Sequence, residues 1–309
     1  MTISRKALLV ALAAAPLAAC SGPTDRPGRA GTAASPTPTR STTRRLRADD
    51  RFAELEDRYG AVLGVHLLDT GSGDTVRWRA DRRFASCSTH KVFTAAEVLR
   101  DRDDAGMREV VAFTTDDLVD HSPVTSGAVG TGASWAVLCE AAVRQSDNTA
   151  ANLLFTSLGG PSGFQRRLRD LGDTTTRSDR VETDLNTAVP GDERDTTTPD
   201  AIAESLRVVA LGERLPVAKR RRLVGWMSGN ALTDTLIRAG LPDGWTVADK
   251  SGAGGYGTRN DIGVVERPGG APIVLAVFST RPDAGSDAGY DDALVAEAAR
   301  AAVDTLLAA

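Results

Sequence analysis

Hydrophobic and polar positions begin to follow a regular pattern only from about residue 48. Between Ala48 and Tyr59, the residues Phe52, Leu55 and Tyr59 recur three and four apart, which predicts an amphipathic helix. Ala61 to Asp69 is a dense strand-like run, followed by the turn Thr70-Gly71-Ser72-Gly73-Asp74, and Thr75 to Ala80 then alternates. The two runs predict a β-hairpin. From about Ser86 to Gly229 the period becomes helical, broken by glycine- and proline-marked loops, with Trp135 to Arg144 among the helices. Strand character returns after Trp245. Ile262 to Val265 and Ile273 to Thr280 flank Pro268-Gly269-Gly270, a second hairpin, and Asp291 to Leu307 is an alanine-rich amphipathic helix.

Strands at both ends with helices between them predict an α/β fold, α+β in the strict sense. It consists of an antiparallel sheet formed from both chain termini and flanked by helices, with an all-helical domain inserted. The expected boundaries are 48–80 and 230–309 for the α/β domain and 81–229 for the helical one. There is no internal repeat.

The N-terminal region stands apart. Arg5 and Lys6 precede the apolar run Ala7 to Ala19, which is too short to span a bilayer, so residues 1–19 read as a signal peptide. Leu17-Ala18-Ala19-Cys20 resembles a bacterial lipobox, in which the cysteine carries lipid; an ordinary signal peptide cleaved nearby is the other reading. Residues 20–47 are mostly Pro, Thr, Ser, Gly and Arg and predict a disordered tether. The expectation is an exported protein, secreted or held at the outer face of the cytoplasmic membrane through Cys20.

Composition narrows the chemistry. The chain has 309 residues, 41% hydrophobic and 25% charged, with a net charge of −4, so a nucleic-acid partner is not expected. Lysine is scarce, occurring only at Lys6, Lys91, Lys219 and Lys250, so each lysine of the folded region is conspicuous. Three cysteines do not make a disulfide framework. Cys87 and Cys139 are either free and buried or paired. The three histidines, His66, His90 and His121, are too scattered for a zinc motif, and neither a G-x-S-x-G elbow nor a P-loop occurs. Gly252, Gly254 and Gly257 fit G-x-G-x-x-G by spacing, but strands follow them where a dinucleotide site needs a helix. No metal or cofactor is expected.

Ser88-Thr89-His90-Lys91 carries the positive signal. At the start of a helix this spacing stacks hydroxyl and amine one turn apart on one face. The helix N-terminus favours an oxyanion near Ser88, and an amine of lowered pKa can serve as the base that a serine nucleophile needs. Ser146-Asp147-Asn148 follows a helix and can aim two polar side chains the same way. Lys250-Ser251-Gly252 opens the late strand region, where lysine and hydroxyl can receive a carboxylate and glycine lets substrate lie along the strand.

In this order, Ser-x-x-Lys, Ser-Asp-Asn and Lys-Ser-Gly resemble the marks of the penicillin-recognising serine enzymes, class A β-lactamases in particular. The resemblance runs from about residue 50 to the end. Phe84 before the serine, Ser122-Pro123-Val124-Thr125, the stretch Ser146 to Leu154, and Arg180-Val181-Glu182-Thr183-Asp184-Leu185-Asn186 with its exit at Asp192 to Thr197 all look like that family. It implies a β-lactamase/transpeptidase-like fold and hydrolysis of the β-lactam ring through an acyl-enzyme on Ser88, giving antibiotic resistance. It also implies roles. Lys91 and Glu182 share the proton work of acylation, and which acts first stays open. Ser146 and Lys91 pass a proton to the lactam nitrogen, and the N–H groups of Ser88 and Ala253 form an oxyanion hole. Glu182 is the deacylation base, with Asn186 holding the same water. Asn148 binds the side-chain amide of the substrate, and Lys250, Ser251 and Arg259 bind its carboxylate. Arg180 and Asp195 pair across the loop.

A D,D-peptidase would share the three motifs but needs neither Glu182 nor Asn186, whose presence argues against it. A non-hydrolysing β-lactam sensor is usually fused to membrane helices, and no second apolar stretch here approaches about 18 residues. The sequence also departs from the family. His121 stands where relatives place tyrosine or tryptophan, Ala95 stands opposite Cys139 where some members have a disulfide, and Gly254 stands where carbapenem-hydrolysing members have a cysteine. A small-molecule β-lactam is the expected partner, membrane contact is expected only through Cys20, and a monomer is expected.

Overall fold

The computed structural model describes residues 44–309. The signal peptide, Cys20 and most of the expected tether lie outside the described residues. Six strands form one sheet: β1 Arg45–Leu46, β2 Val62–Asp69, β3 Thr75–Trp78, β4 Thr246–Gly254, β5 Thr258–Glu266 and β6 Ile273–Thr280. Their spatial order is β1-β3-β2-β6-β5-β4, antiparallel except for the β1–β3 pair. The N-terminal hairpin therefore meets the C-terminal strands along the β2–β6 ladder, which runs from Val62↔Thr280 to Asp69↔Ile273.

The alternation in β6 accounts for the layers. Ile273, Leu275 and Val277 join Leu63, Val65 and Leu67 on one face, covered by α1 (Asp49–Tyr59), α8 (Ile237–Gly240) and α9 (Asp292–Leu307). Val274, Ala276 and Phe278 face the opposite core, shared with α2 (Lys91–Asp101), α3 (Trp135–Arg144), α4 (Asn148–Ser157), α5 (Gly160–Asp170), α6 (Pro199–Ala210) and α7 (Val217–Ser228). Both faces are buried, so period-two order yields an unbroken apolar run.

Three boundaries differ from the sequence expectation. Arg45 and Leu46, placed in the tether, pair with Thr75 and Val76 as a short edge strand that their polar surroundings conceal. The strand expected to reach Ala80 ends at Trp78, because Arg79 turns the chain with φ 40°. β5 starts four residues before Ile262, since Thr258, Asn260 and Asp261 are buried polar residues that break the apolar pattern. The described residues form one compact unit in which α6 packs directly on β2, β5 and β6, so the helical segment covers the sheet as well as its own core.

Candidate active site

Ser88 lies in a 3₁₀ turn, Cys87–His90, that runs straight into α2 at Lys91. Three residues per turn bring positions i and i+3 into register, and Lys91 Nζ donates to Ser88 Oγ at 2.9 Å. Lys91 is fully buried and also donates to the Ser146 carbonyl at 2.9 Å and to Asn148 Oδ1. Cys87, immediately before the serine, holds φ 45°, and Ser146 holds φ 56°. Left-handed conformations at residues other than glycine cost energy and persist only where the surroundings over-determine them.

Between Ser146 and Asn148, Asp147 has a role that the sequence reading did not assign. It caps α4 by accepting from the Ala150 N–H, and its second oxygen accepts from the N–H groups of Val124 and Thr125, pinning the 122–125 loop. Asn148, first residue of α4, also donates through Nδ2 to the Asp120 carbonyl. A cap fixes the helix start, and here it fixes the direction of the residues on either side of Asp147.

The Lys250-Ser251-Gly252-Ala253 segment of β4 passes alongside the Ser88 turn. A Cβ on Gly252 would lie 3.1 Å from Cys87 Cβ and 3.2 Å from Ser88 N, so glycine permits this approach. The sequence reading gave Gly252 to the substrate; its demonstrable work is packing the strand against the nucleophile's turn. A Cβ on Gly254 would meet the Asn186 carbonyl at 2.6 Å, which seats the strand end against the 180–195 loop. Lys250 Nζ donates to Ser146 Oγ at 3.1 Å, and Lys91 Nζ approaches the same hydroxyl at 3.3 Å. Arg259 donates from Nε to Asp292 at 2.7 Å and lies over the Tyr290 ring at 4.7 Å. Part of its charge is therefore already engaged.

The loop between α5 and α6 delivers Glu182. Asn152 on α4 holds its main chain from both sides, donating to the Glu182 carbonyl and accepting from its N–H at 2.8 and 2.9 Å. The carboxylate lies 2.9 Å from Lys91 Nζ through Oε1 and accepts from Asn186 Nδ2 at 2.6 Å through Oε2. Asn186 Oδ1 is buried with no donor. Arg180 and Asp195 pair at 2.6 Å, and Asp195, 2% exposed, also accepts from the N–H groups of Asp179 and Arg180. That arrangement closes the loop from beneath rather than decorating its surface.

The electrostatics follow from burial and neighbours. Burial pulls the Lys91 amine below its usual range, against the attraction of Glu182. Burial alone would raise Glu182, but the Lys91 charge and the His90 hydrogen bond outweigh it and hold the carboxyl well below the usual range. Lys250 is brought down to about 7 by burial and by the nearby Lys91 charge. On the same two strands, burial pushes the Asp249 carboxyl up to about 6, and burial with the adjacent Asp249 raises Asp261 well above its usual range. Asp249 Oδ2 and Asp261 Oδ1 are both buried without partners. A carboxyl that binds its proton more tightly folded than unfolded loses stability as pH rises from about 4 through about 6. Asp261→Asn is therefore expected to raise stability at pH 7 and to flatten the melting temperature between about pH 4.5 and 7. Melting curves across that range with an unchanged slope would contradict it.

These side chains line a cavity of about 380 Å³ that contains Ser88, Ser146, Asn148, Asn186, Ser251 and Arg259. Gly252 and Ala253 border it too, with His121, Leu232 and Tyr290 at its edge. Lys91, Glu182 and Lys250 sit behind this lining. All eleven residues singled out from the sequence thus converge. Cys87 and Cys139 are free and buried. No cluster of three metal-liganding side chains occurs among the described residues. Asn152 was missed, although it lies one helical turn after Asn148 on the same face of α4. Leu232 and Tyr290 carried no signal, because they reach the cavity from distant segments.

The geometry agrees with comparisons to known proteins. Residues 47–306 match the model of the Beta-lactamase enzyme family. A β-lactamase of Bacillus amyloliquefaciens is 50% identical over 258 residues, 84% of each chain. One from Nocardia asteroides is 48% identical over 297 residues, 96% of this chain and 95% of that one. The crystal structure of a class A β-lactamase from Clostridium kluyveri superposes with a TM-score of 0.82 at 42% identity, covering 84% of this chain and 98% of that one. A nucleophile lining one cavity, with two buried lysines and a carboxylate directly behind it, on a fold and sequence shared with these proteins, places the chain in the β-lactamase enzyme family, among its class A members.

Proposed function

We propose that the protein hydrolyses the β-lactam ring of penicillin- and cephalosporin-type antibiotics through an acyl-enzyme on Ser88, and so confers resistance. The observation that carries this reading is the contact chain Ser88 Oγ, Lys91 Nζ, Glu182 Oε1, each step 2.9 Å. It links the acylated oxygen to a carboxylate that can activate water.

In acylation, Ser88 Oγ attacks the lactam carbonyl while its proton passes to Lys91 or Glu182. The oxyanion is received by the N–H groups of Ser88 and Ala253. The C–N bond then breaks, and the nitrogen takes a proton through Ser146, which stands between Lys91 and Lys250. In deacylation, Glu182 removes a proton from water, with the open Asn186 Oδ1 as the second acceptor. Hydroxide adds to the ester, and Ser88 Oγ leaves with a proton. Asn148 retains a second Nδ2 hydrogen for the amide of the substrate. Lys250, Ser251 and Arg259 supply donors for its carboxylate. A base held this way serves rapid deacylation by water, which favours lactam hydrolysis over a protein that stays acylated.

Every reacting group comes from one chain, and we propose that a monomer acts outside the cytoplasmic membrane, with Cys20 as the candidate anchor. The test mixes residues 44–309 with a chromogenic cephalosporin and weighs the protein by mass spectrometry after rapid quenching with penicillin. Fast turnover with a transient penicilloyl adduct on the Ser88 peptide is expected. A lasting adduct would overturn hydrolysis in favour of a peptidase or sensor. Lys250→Ala is expected to lower kcat/KM by about 10²-fold, because a charge-assisted partner of the carboxylate is lost; an unchanged steady-state value would remove that role.

A further inference from the structure

His90, the third residue of Ser-x-x-Lys, takes no part in the mechanism above, yet it is buried against the base. Its Nε2 lies 3.1 Å from Glu182 Oε1, and its ring stacks on Phe155 at 4.8 Å, with Phe164 edge-on at 6.3 Å. The other ring nitrogen, Nδ1, is buried and has no partner. A carboxylate oxygen only accepts, so the proton of this contact resides on Nε2. A second proton on Nδ1 would be a buried donor with nothing to bond, so the ring is neutral. Burial lowers the imidazole's proton affinity and agrees with this.

A carboxylate oxygen offers two lone-pair sites. At Oε1, one faces Lys91 and the other His90; at Oε2, Asn186 takes one. We propose that His90 is a positioning residue for Glu182: donating from Nε2, it completes the occupancy of Oε1 and leaves Oε2, beside Asn186, to receive the proton of the deacylating water. The inference rests on the reading of Glu182 as that base. The titratable groups acting on Glu182 are His90 from the turn and Lys91 from α2, with Lys250 of β4 and the buried Cys87 thiol further off. α4 presents the neutral Asn152 and the loop itself Asn186.

A donor to a carboxylate favours its ionised form, so removing one makes the group easier to protonate. Deacylation fails as pH falls through the Glu182 titration, and without His90 that failure begins at higher pH. His90→Phe fits a site already walled by phenyl rings. Its acid limb of kcat for a penicillin is expected to move up by about half to one pH unit. His90→Gln, whose amide can reach Oε1, is expected to restore most of the shift. In the unsubstituted protein, ¹⁵N-resolved imidazole spectra should show the neutral Nε2–H form from pH 5 to 8. Glu182→Gln is the control. If it accumulates penicilloyl-enzyme while His90→Phe leaves the acid limb in place, the inference is overturned and the base assignment stands. If it accumulates none, the base assignment itself fails. A doubly protonated or Nδ1–H ring at pH 7 overturns the inference whatever the kinetics show.

Discussion

Ser88→Ala is expected to lower kcat/KM for penicillins by at least about 10⁴-fold with no change in fold. The substitution removes one oxygen whose partner is Lys91 Nζ, and Lys91 keeps the Ser146 carbonyl and Asn148 as acceptors. No buried charge is stranded, so melting temperature should hardly move. What remains is a cavity with its oxyanion donors and a carboxylate able to direct water at a bound lactam, a route that lacks the covalent intermediate. Residual hydrolysis within tenfold of the unsubstituted rate, with no adduct in either protein, would mean that another nucleophile acts.

Glu182→Gln is expected to separate the two half-reactions. Glutamine keeps the shape and one carbonyl oxygen for His90 and Lys91, but it cannot accept the water's proton. Deacylation should fall by about 10³-fold, within the range general-base catalysis contributes, while acylation through Lys91 persists. The mass spectrum should then show the protein almost wholly shifted by one penicillin at steady state. An adduct that clears as fast as in the unsubstituted protein would assign the base elsewhere. Because Lys91 loses the Glu182 contact, its amine should also become easier to deprotonate, and the acid limb of acylation, set by protonation of the base, should move to lower pH.

Much of this was legible from the residues. Period-two spacing located the strands other than Arg45–Leu46, and spacing of three to four located the first and last helices and Trp135–Arg144, because each buries an apolar face; turn residues marked both hairpins. The site was legible because most of its reactive groups lie in three short motifs, with Glu182 in a fourth segment at 180–186, and the order of these motifs limits the folds that carry them. The remainder depends on partners that are distant in sequence. His90 looks like filler inside Ser-x-x-Lys until Glu182 is brought 3.1 Å away from a loop 92 residues later. Asp147 sits between two functional residues, and nothing local shows that it holds the 122–125 loop. The polar start of β5 was hidden because Asn260 and Asp261 are buried by tertiary packing that no local pattern announces.

The β2–β6 ladder also has a consequence for how the molecule comes into being. Its partners, 62–69 and 273–280, stand about two hundred positions apart, and the distance between paired segments governs how slowly a domain folds. During synthesis β2 emerges well before its natural neighbour, which follows about two hundred residues later. Until then a long, apolar strand has one open edge, the kind of surface on which chains stick to one another. Yield of soluble protein should therefore depend on how long the chain waits with that edge exposed, more than on the stability of the finished fold.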